Sequence, residues 1–210
     1  MAFGSANAFG QIQARSLEQH QPVSGMVRAQ CPASLRKYGF CGILATVYAA
    51  KLPVPSSIAK LEALLAEIKG VLCMKKSLWS RSKPKKTGAI GISDTLCLLA
   101  HYKACDYEVL RRKTDPGAPT LRAWMKTVRP RTCYIVHVKS HALFVEVGAV
   151  RSKWRIYDQS GVHTKEHPAF LERVGGYGRK LVVAVVQITY ADGEKHEVLQ
   201  CESPSSDDIV

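Results

Sequence analysis

The sequence predicts an α+β fold, with an N-terminal helical layer packed on a small, mostly antiparallel β-sheet. Two observations predict it. The first half of the chain carries apolar stretches at helical spacing, closed by proline or glycine. The second half switches to short β-branched runs separated by turn residues.

Taken in order, residues 1–30 are rich in Gly, Ala, Ser and Gln with little periodicity, and are expected to form a mobile arm. Folded structure is expected from Cys31 to about residue 200. Cys41 to Ala50 is apolar and rich in good helix formers, with Pro53 and Pro55 just beyond. Ile58, Leu61, Leu65 and Ile68 give a helix from about Ser57 to Lys69 one apolar face, and Gly70 stands where a stop is expected. A basic loop spans Lys75 to Gly88. Ser93 is the expected N-cap of a helix reaching about Lys103, with Asp94 in its first turn. Tyr107 to Leu110 reads as a short strand, Asp115-Pro116-Gly117 as a turn, and Thr120 as the start of a helix to about Val128. Strands are then expected at Cys133–Val138, Ala142–Val147, Trp154–Tyr157 and Leu181–Tyr190. Residues 201–210 form an acidic tail.

With 210 residues, the chain has the length of one core-bearing domain. No apolar run approaches the roughly 18 residues that cross a bilayer, and the N-terminus has no signal-type apolar segment. The expectation is an intracellular, cytoplasmic protein, or a virion-associated one if viral, without membrane partners. The seven cysteines include no Cys-x-x-Cys pair, and several sit in apolar stretches, which argues against a disulfide scaffold. Net charge is +13; residues 191–210 hold six acids against one lysine, so the rest carries +18. A body this basic attracts polyanions or acidic partners.

The chemistry centres on three residues. Cys41 opens an apolar helix, where the positive helix end favours thiolate. Gly42 beside it leaves room for a substrate backbone. His141 leads the apolar run ALFVEV, and can face a helix tip in the other layer as general base. Asp158 ends WRIYD before a Gln159-Ser160-Gly161 turn, and can accept the second imidazole N–H. Each also has a structural reading: a buried cysteine, a strand-end histidine, a turn aspartate. Their order along the chain is what gives them weight.

That order and the words around it resemble the papain-like cysteine peptidases, closest to the peptidase domains of bacteriocin-processing exporters. Carrying the resemblance are Cys41-Gly42, Gly91-Ile92-Ser93, His141 before a Val-containing strand, and Ile156-Tyr157-Asp158 with Gly161 behind. It spans about residues 35–161 and implies a Cys41–His141–Asp158 triad acting on a polypeptide, without a cofactor. Polyprotein processing and removal of a ubiquitin-like modifier both suit such an enzyme. The chain departs from that branch in two places. Leu35 stands where a glutamine six residues before the cysteine donates to the oxyanion, and Gln30 lies farther upstream. Ser34, Arg36 or a backbone N–H are the candidate replacements beside the Cys41 N–H. Gln159 replaces the proline that follows the aspartate.

Three other readings compete. His137 and His141, like His163 and His167, are four apart; that spacing holds zinc on a helix, but VHVKSHALF reads as strands around a turn, and no metal is expected. His137, inside an alternating strand, is the rival base. Lys75, Lys76, Arg81, Lys83, Lys85 and Lys86 crowd around Trp79, a composition that suits RNA or an acidic partner. Further basic groups are Arg111–Lys113 and Arg122, Lys126, Arg129 and Arg131. The alternative function is therefore a basic RNA-binding or virion-associated protein with a catalytically silent papain-like fold.

Overall fold

The computed structural model describes residues 28–74, 78, 82, 88–151, 153–164, 171 and 176–190. Most of the expected arm, the acidic tail, His167 and all seven residues of the basic cluster around Trp79 lie outside them.

The order is helices first, strands second. A 3-10 helix at Ala33–Tyr38 precedes α1 (Cys41–Ala49), α2 (Ile58–Val71) and α3 (Ile92–Tyr102). Strand β1 (Asp106–Arg111) and the short α4 (Leu121–Trp124) follow. Then come β2 (Thr132–Val138), β3 (His141–Val147), β4 (Trp154–Asp158), β5 (Gly161–Thr164), a 3-10 turn at Tyr177–Arg179, and β6 (Val182–Thr189). The strands form one antiparallel sheet in the order β1-β6-β2-β3-β4-β5. The α+β class read from the sequence is thus the class observed.

Both sheet faces are covered, so the central strands read as continuous apolar runs. On one face, Cys133 and Ile135 of β2, Ala142 and Phe144 of β3 and Tyr157 of β4 pack with Ile43, Leu44, Val47, Leu61, Leu65 and Leu98 of the helices. On the other, Tyr134, Val136, Leu143, Val145 and Ile156 pack with Leu121, Met125 and Val128. Two-residue alternation along each strand divides the side chains this way. Helix α1 is buried from Gly42 to Ala49 and lies between the sheet and α3, which explains why it is apolar all round. Arg28 already belongs to this body: its guanidinium sits over the Phe144 ring and donates to Tyr48 O and Glu146 Oε1.

Some local expectations shift. Helix α3 is capped by Gly91, not Ser93, and Asp94 Oδ2 accepts the Gly91 N–H at 2.9 Å. A start two residues earlier is favoured because Asp94 then both closes that N–H and meets the helix dipole. Helix α2 runs through Gly70 to Val71, so glycine does not stop it. Helix α4 ends at Trp124, four residues short of Val128. Strand β5 and both 3-10 segments were not expected.

The space beside Gly42 is occupied by the chain itself, not left for substrate. A Cβ there would stand 2.7 Å from Ile90 Cγ1 and 3.2 Å from Ile90 O. Gly88, at φ +65°, brings this segment across Phe40. Overpacking of this kind costs about 1–3 kcal/mol. Gly42→Ala should lower stability in denaturant unfolding by that amount, and clearly less in an Ile90→Ala background. Equal losses in both backgrounds would mean that Ile90 is not the obstacle.

Candidate active site

Three elements converge on Cys41. Helix α1 presents it as the first residue, after an N-cap, Phe40, that offers no side-chain acceptor. The first turn holds no acidic side chain either, so the positive helix end has no counter-charge except the sulfur. Strand β3 contributes His141 as its first residue, and β4 contributes Asp158 as its last.

Strand register brings the second and third together. Phe144 faces Tyr157 across β3 and β4, which puts His141 diagonal to Asp158. By alternation His141 shares the face of Leu143 and Val145, away from α1. It reaches Cys41 because it stands at the strand's first residue, where the sheet ends.

His141 Nε2 lies 3.3 Å from Asp158 Oδ2. Nδ1 is therefore the nitrogen left for the Cys41 thiol, and ring and thiol stand close enough for each to shift the other's protonation. The backbone N–H groups of Ala142 and Gly42 also favour the thiolate. Asp158 is only 2% exposed in its side chain, and every donor apart from His141 converges on Oδ1. Those donors are Ser160 N at 2.7 Å, Ser160 Oγ at 2.6 Å, Gly161 N at 3.0 Å and His163 Nε2 at 3.0 Å. The Tyr177 ring covers His141 at 4.7 Å between centroids.

This arrangement sets the charges. Burial alone would raise Asp158, but hydrogen bonds from His141, His163 and Ser160 outweigh it and hold the carboxyl well below its ordinary range. Burial alone would lower His141, but the bonds to Asp158 and Cys41 and their charges raise it to about 9. Burial would likewise raise Cys41, yet the His141 bond and charge, with two backbone N–H groups, bring it down. The same burial without such partners pushes Cys31 and Cys105 up to about 11. The site thus favours a thiolate–imidazolium pair on a fixed carboxylate, the form needed for nucleophilic attack followed by proton return.

The remaining expected residues are placed as follows. Ser34 and Arg36 lie on the exposed side of the 3-10 helix, while Leu35 between them is fully buried. Gln159 Nε2 donates to Arg36 O at 2.9 Å, tying the β4–β5 turn to that helix. Gln30 lies beside Gly161. The rival base, His137, points instead at Thr95 Oγ1, 3.5 Å away, and burial lowers it to about 4. It is buried and uncharged at neutral pH. Among the described residues, no group of three or more His, Cys, Asp or Glu side chains is placed to hold a metal ion. His163, Ser160 and Tyr177 were not singled out from sequence. Reading Asp158-Gln159-Ser160-Gly161 as a two-residue hairpin turn would have put His163 on the face of Asp158.

No protein-family model matches this chain, and no curated protein or solved structure matches it. What the site can do is argued from its own geometry.

Asp158→Asn keeps the shape and removes the charge, so His141 should titrate lower. Alkylation of Cys41 at pH 7 should slow by about tenfold, the effect of losing one pKa unit or so in a coupled pair. His137→Leu should leave that rate within about twofold. A slow His137→Leu variant beside a normal Asp158→Asn one would reverse the assignment.

Proposed function

We propose that this protein is a cysteine peptidase, hydrolysing peptide or isopeptide bonds through Cys41, His141 and Asp158. The observation that carries the reading is an imidazole whose Nε2 is 3.3 Å from a buried carboxylate, beside a helix-tip thiol whose pKa it lowers. An apolar helix seated on an antiparallel sheet, with histidine opening one strand and aspartate closing the next, also supports the papain-like resemblance. Among the described residues, no helix is long and apolar enough to cross a membrane.

The chemistry follows from the charges. Cys41 thiolate attacks the substrate carbonyl carbon, and the carbonyl π electrons move to oxygen. The oxyanion faces the Cys41 N–H and a second donor from residues 34–40. As the C–N bond breaks, the His141 imidazolium gives its Nδ1 proton to the departing amine. A thioester remains. His141, now neutral, takes a proton from water, whose oxygen attacks the thioester carbonyl; the acid leaves and the ion pair is restored. Asp158 holds the Nε2 proton throughout.

An electrophilic thiol probe at neutral pH tests this. Cys41 should react well ahead of the other six cysteines, and His141→Ala should abolish that preference. Uniform labelling of all seven thiols would overturn the reading. The pH dependence has a fixed sign. Hydrolysis needs the His141 proton and should fall above about pH 9, where the imidazolium is lost. Alkylation needs only the thiolate and should not fall there.

A second reading, the nucleic-acid binder, is favoured by one specific observation. Residues 123–132 and 147–154 hold exposed Lys126, Arg129, Arg131, Arg151 and Lys153 and no acidic residue. The two segments are joined by Arg151 Nη1 donating to Lys126 O and Arg131 N donating to Gly148 O. This surface lies at the far end of β3 from His141, about 20 Å away at about 3.3 Å per strand residue. If all five cations meet phosphates of single-stranded RNA, log affinity should fall with log salt at a slope of about −3.5. A flat response removes this reading and leaves the peptidase untouched.

A further inference from the structure

The triad carboxylate serves two histidines. Asp158 Oδ2 accepts from His141 and Oδ1 accepts from His163, at 3.3 Å and 3.0 Å. An ionised carboxylate only accepts, so both rings carry their proton on Nε2. Ser160 Oγ sits between, 2.6 Å from Oδ1 and 3.1 Å from His163 Nε2. The second imidazole comes from β5, where Ile156 pairs with His163 and Asp158 with Gly161, which sets His163 and Asp158 on one face. Its side chain is 21% exposed against 12% for His141. It is the outer of the two.

We infer that His163 is a positioning residue for the peptidase reaction: it loads Oδ1 of Asp158, so that Oδ2 is the oxygen left for His141. The inference rests on the peptidase reading and goes beyond it by assigning a fourth side chain to the site. The backbone donors Ser160 N and Gly161 N and the Ser160 hydroxyl belong to the same turn as Asp158 and move with it. His163 is the side-chain donor to Oδ1 that comes from beyond the turn, opposite Ile156 in the β4–β5 ladder, and it ties the carboxylate to the sheet.

Two effects oppose each other when His163 is removed. A donor withdrawn from Oδ1 leaves more charge on Oδ2 and strengthens its pull on His141. That gain is small, because three donors stay on Oδ1. The loss is larger: the His141 bond is already long at 3.3 Å, and a carboxylate free to turn gives it up. The net expectation is a weaker ion pair. Cys31, just before the first 3-10 segment, Tyr48 of α1 and Tyr177 of the Tyr177–Arg179 turn are further titratable groups around the site, with the Arg36 charge acting on Cys31. Burial keeps all three uncharged at neutral pH.

The test is the rate of Cys41 alkylation by iodoacetamide against pH in the full chain, with thermal unfolding recorded for each variant. His163→Ala should slow alkylation at pH 7 about tenfold, the low end of what losing an outer partner of a functional imidazole costs. Its acid limb should move to higher pH. His163→Gln, which keeps an N–H at similar reach, should recover most of the rate. Ser160→Ala removes the other side-chain donor from the same oxygen and should act in the same direction as His163→Ala. A merely structural role would lower the unfolding temperature and leave the limb where it was. Unchanged rates and limbs in folded His163→Ala and Ser160→Ala overturn the inference, as does a His163→Gln variant as impaired as His163→Ala. His141→Ala separates the two claims. If it abolishes selective labelling while His163→Ala changes nothing, only the inference fails; if it too changes nothing, the peptidase reading fails with it.

Discussion

A carboxylate with 2% of its side chain exposed has given up its water, and it stays ionised only if the protein replaces that water donor for donor. Asp158 is in that position. Its turn and its neighbouring strand supply four donors to one oxygen and leave the other for His141. The fixed negative charge keeps His141 protonated far above its ordinary range, and the imidazolium in turn draws the Cys41 proton away. The helix end adds to the same effect from the other side. Reactivity at Cys41 is thus the last link of an electrostatic chain that starts at a buried turn.

The fold holds the two ends of that chain in place by different means. Cys41 is fixed by packing: α1 is buried between the sheet and α3, and the Gly88–Ile90 segment closes over its start. His141 and Asp158 are fixed by strand register, which a one-residue slip would destroy. The Gln159 side chain joins the systems by binding the 3-10 helix that leads into α1. Helix tip and strand ends therefore move as one body. The basic surface at the opposite end of β3 is far enough away to vary without touching them.

How much of this was legible depends on the range of the interaction. Cys41, His141 and Asp158 could be singled out because each marks an element boundary: a cysteine opening an apolar run, a histidine opening a strand, an aspartate before a turn. The helices and the long strands followed from periodicity. Hidden were features set by contacts distant in sequence or by very short elements. Strand β5, Gly161–Thr164, is four residues long and carries too little pattern to read, and His163 was lost with it. Nothing local says that Tyr177 covers His141. Gly42 reads from sequence as room for a substrate backbone, and only tertiary structure reveals that Ile90 fills that space. Ser93 looked the better cap because serine outranks glycine in general; the Asp94–Gly91 bond reversed that here.

The most direct check is the protonation of His141 itself, followed by nitrogen NMR of its ring across a pH titration. The ion-pair account predicts an imidazolium that persists to about pH 9 in the native protein and titrates lower once Cys41 is replaced by alanine. A ring that loses its proton near the ordinary histidine value of about 6.5, indifferent to whether Cys41 is present, would contradict it.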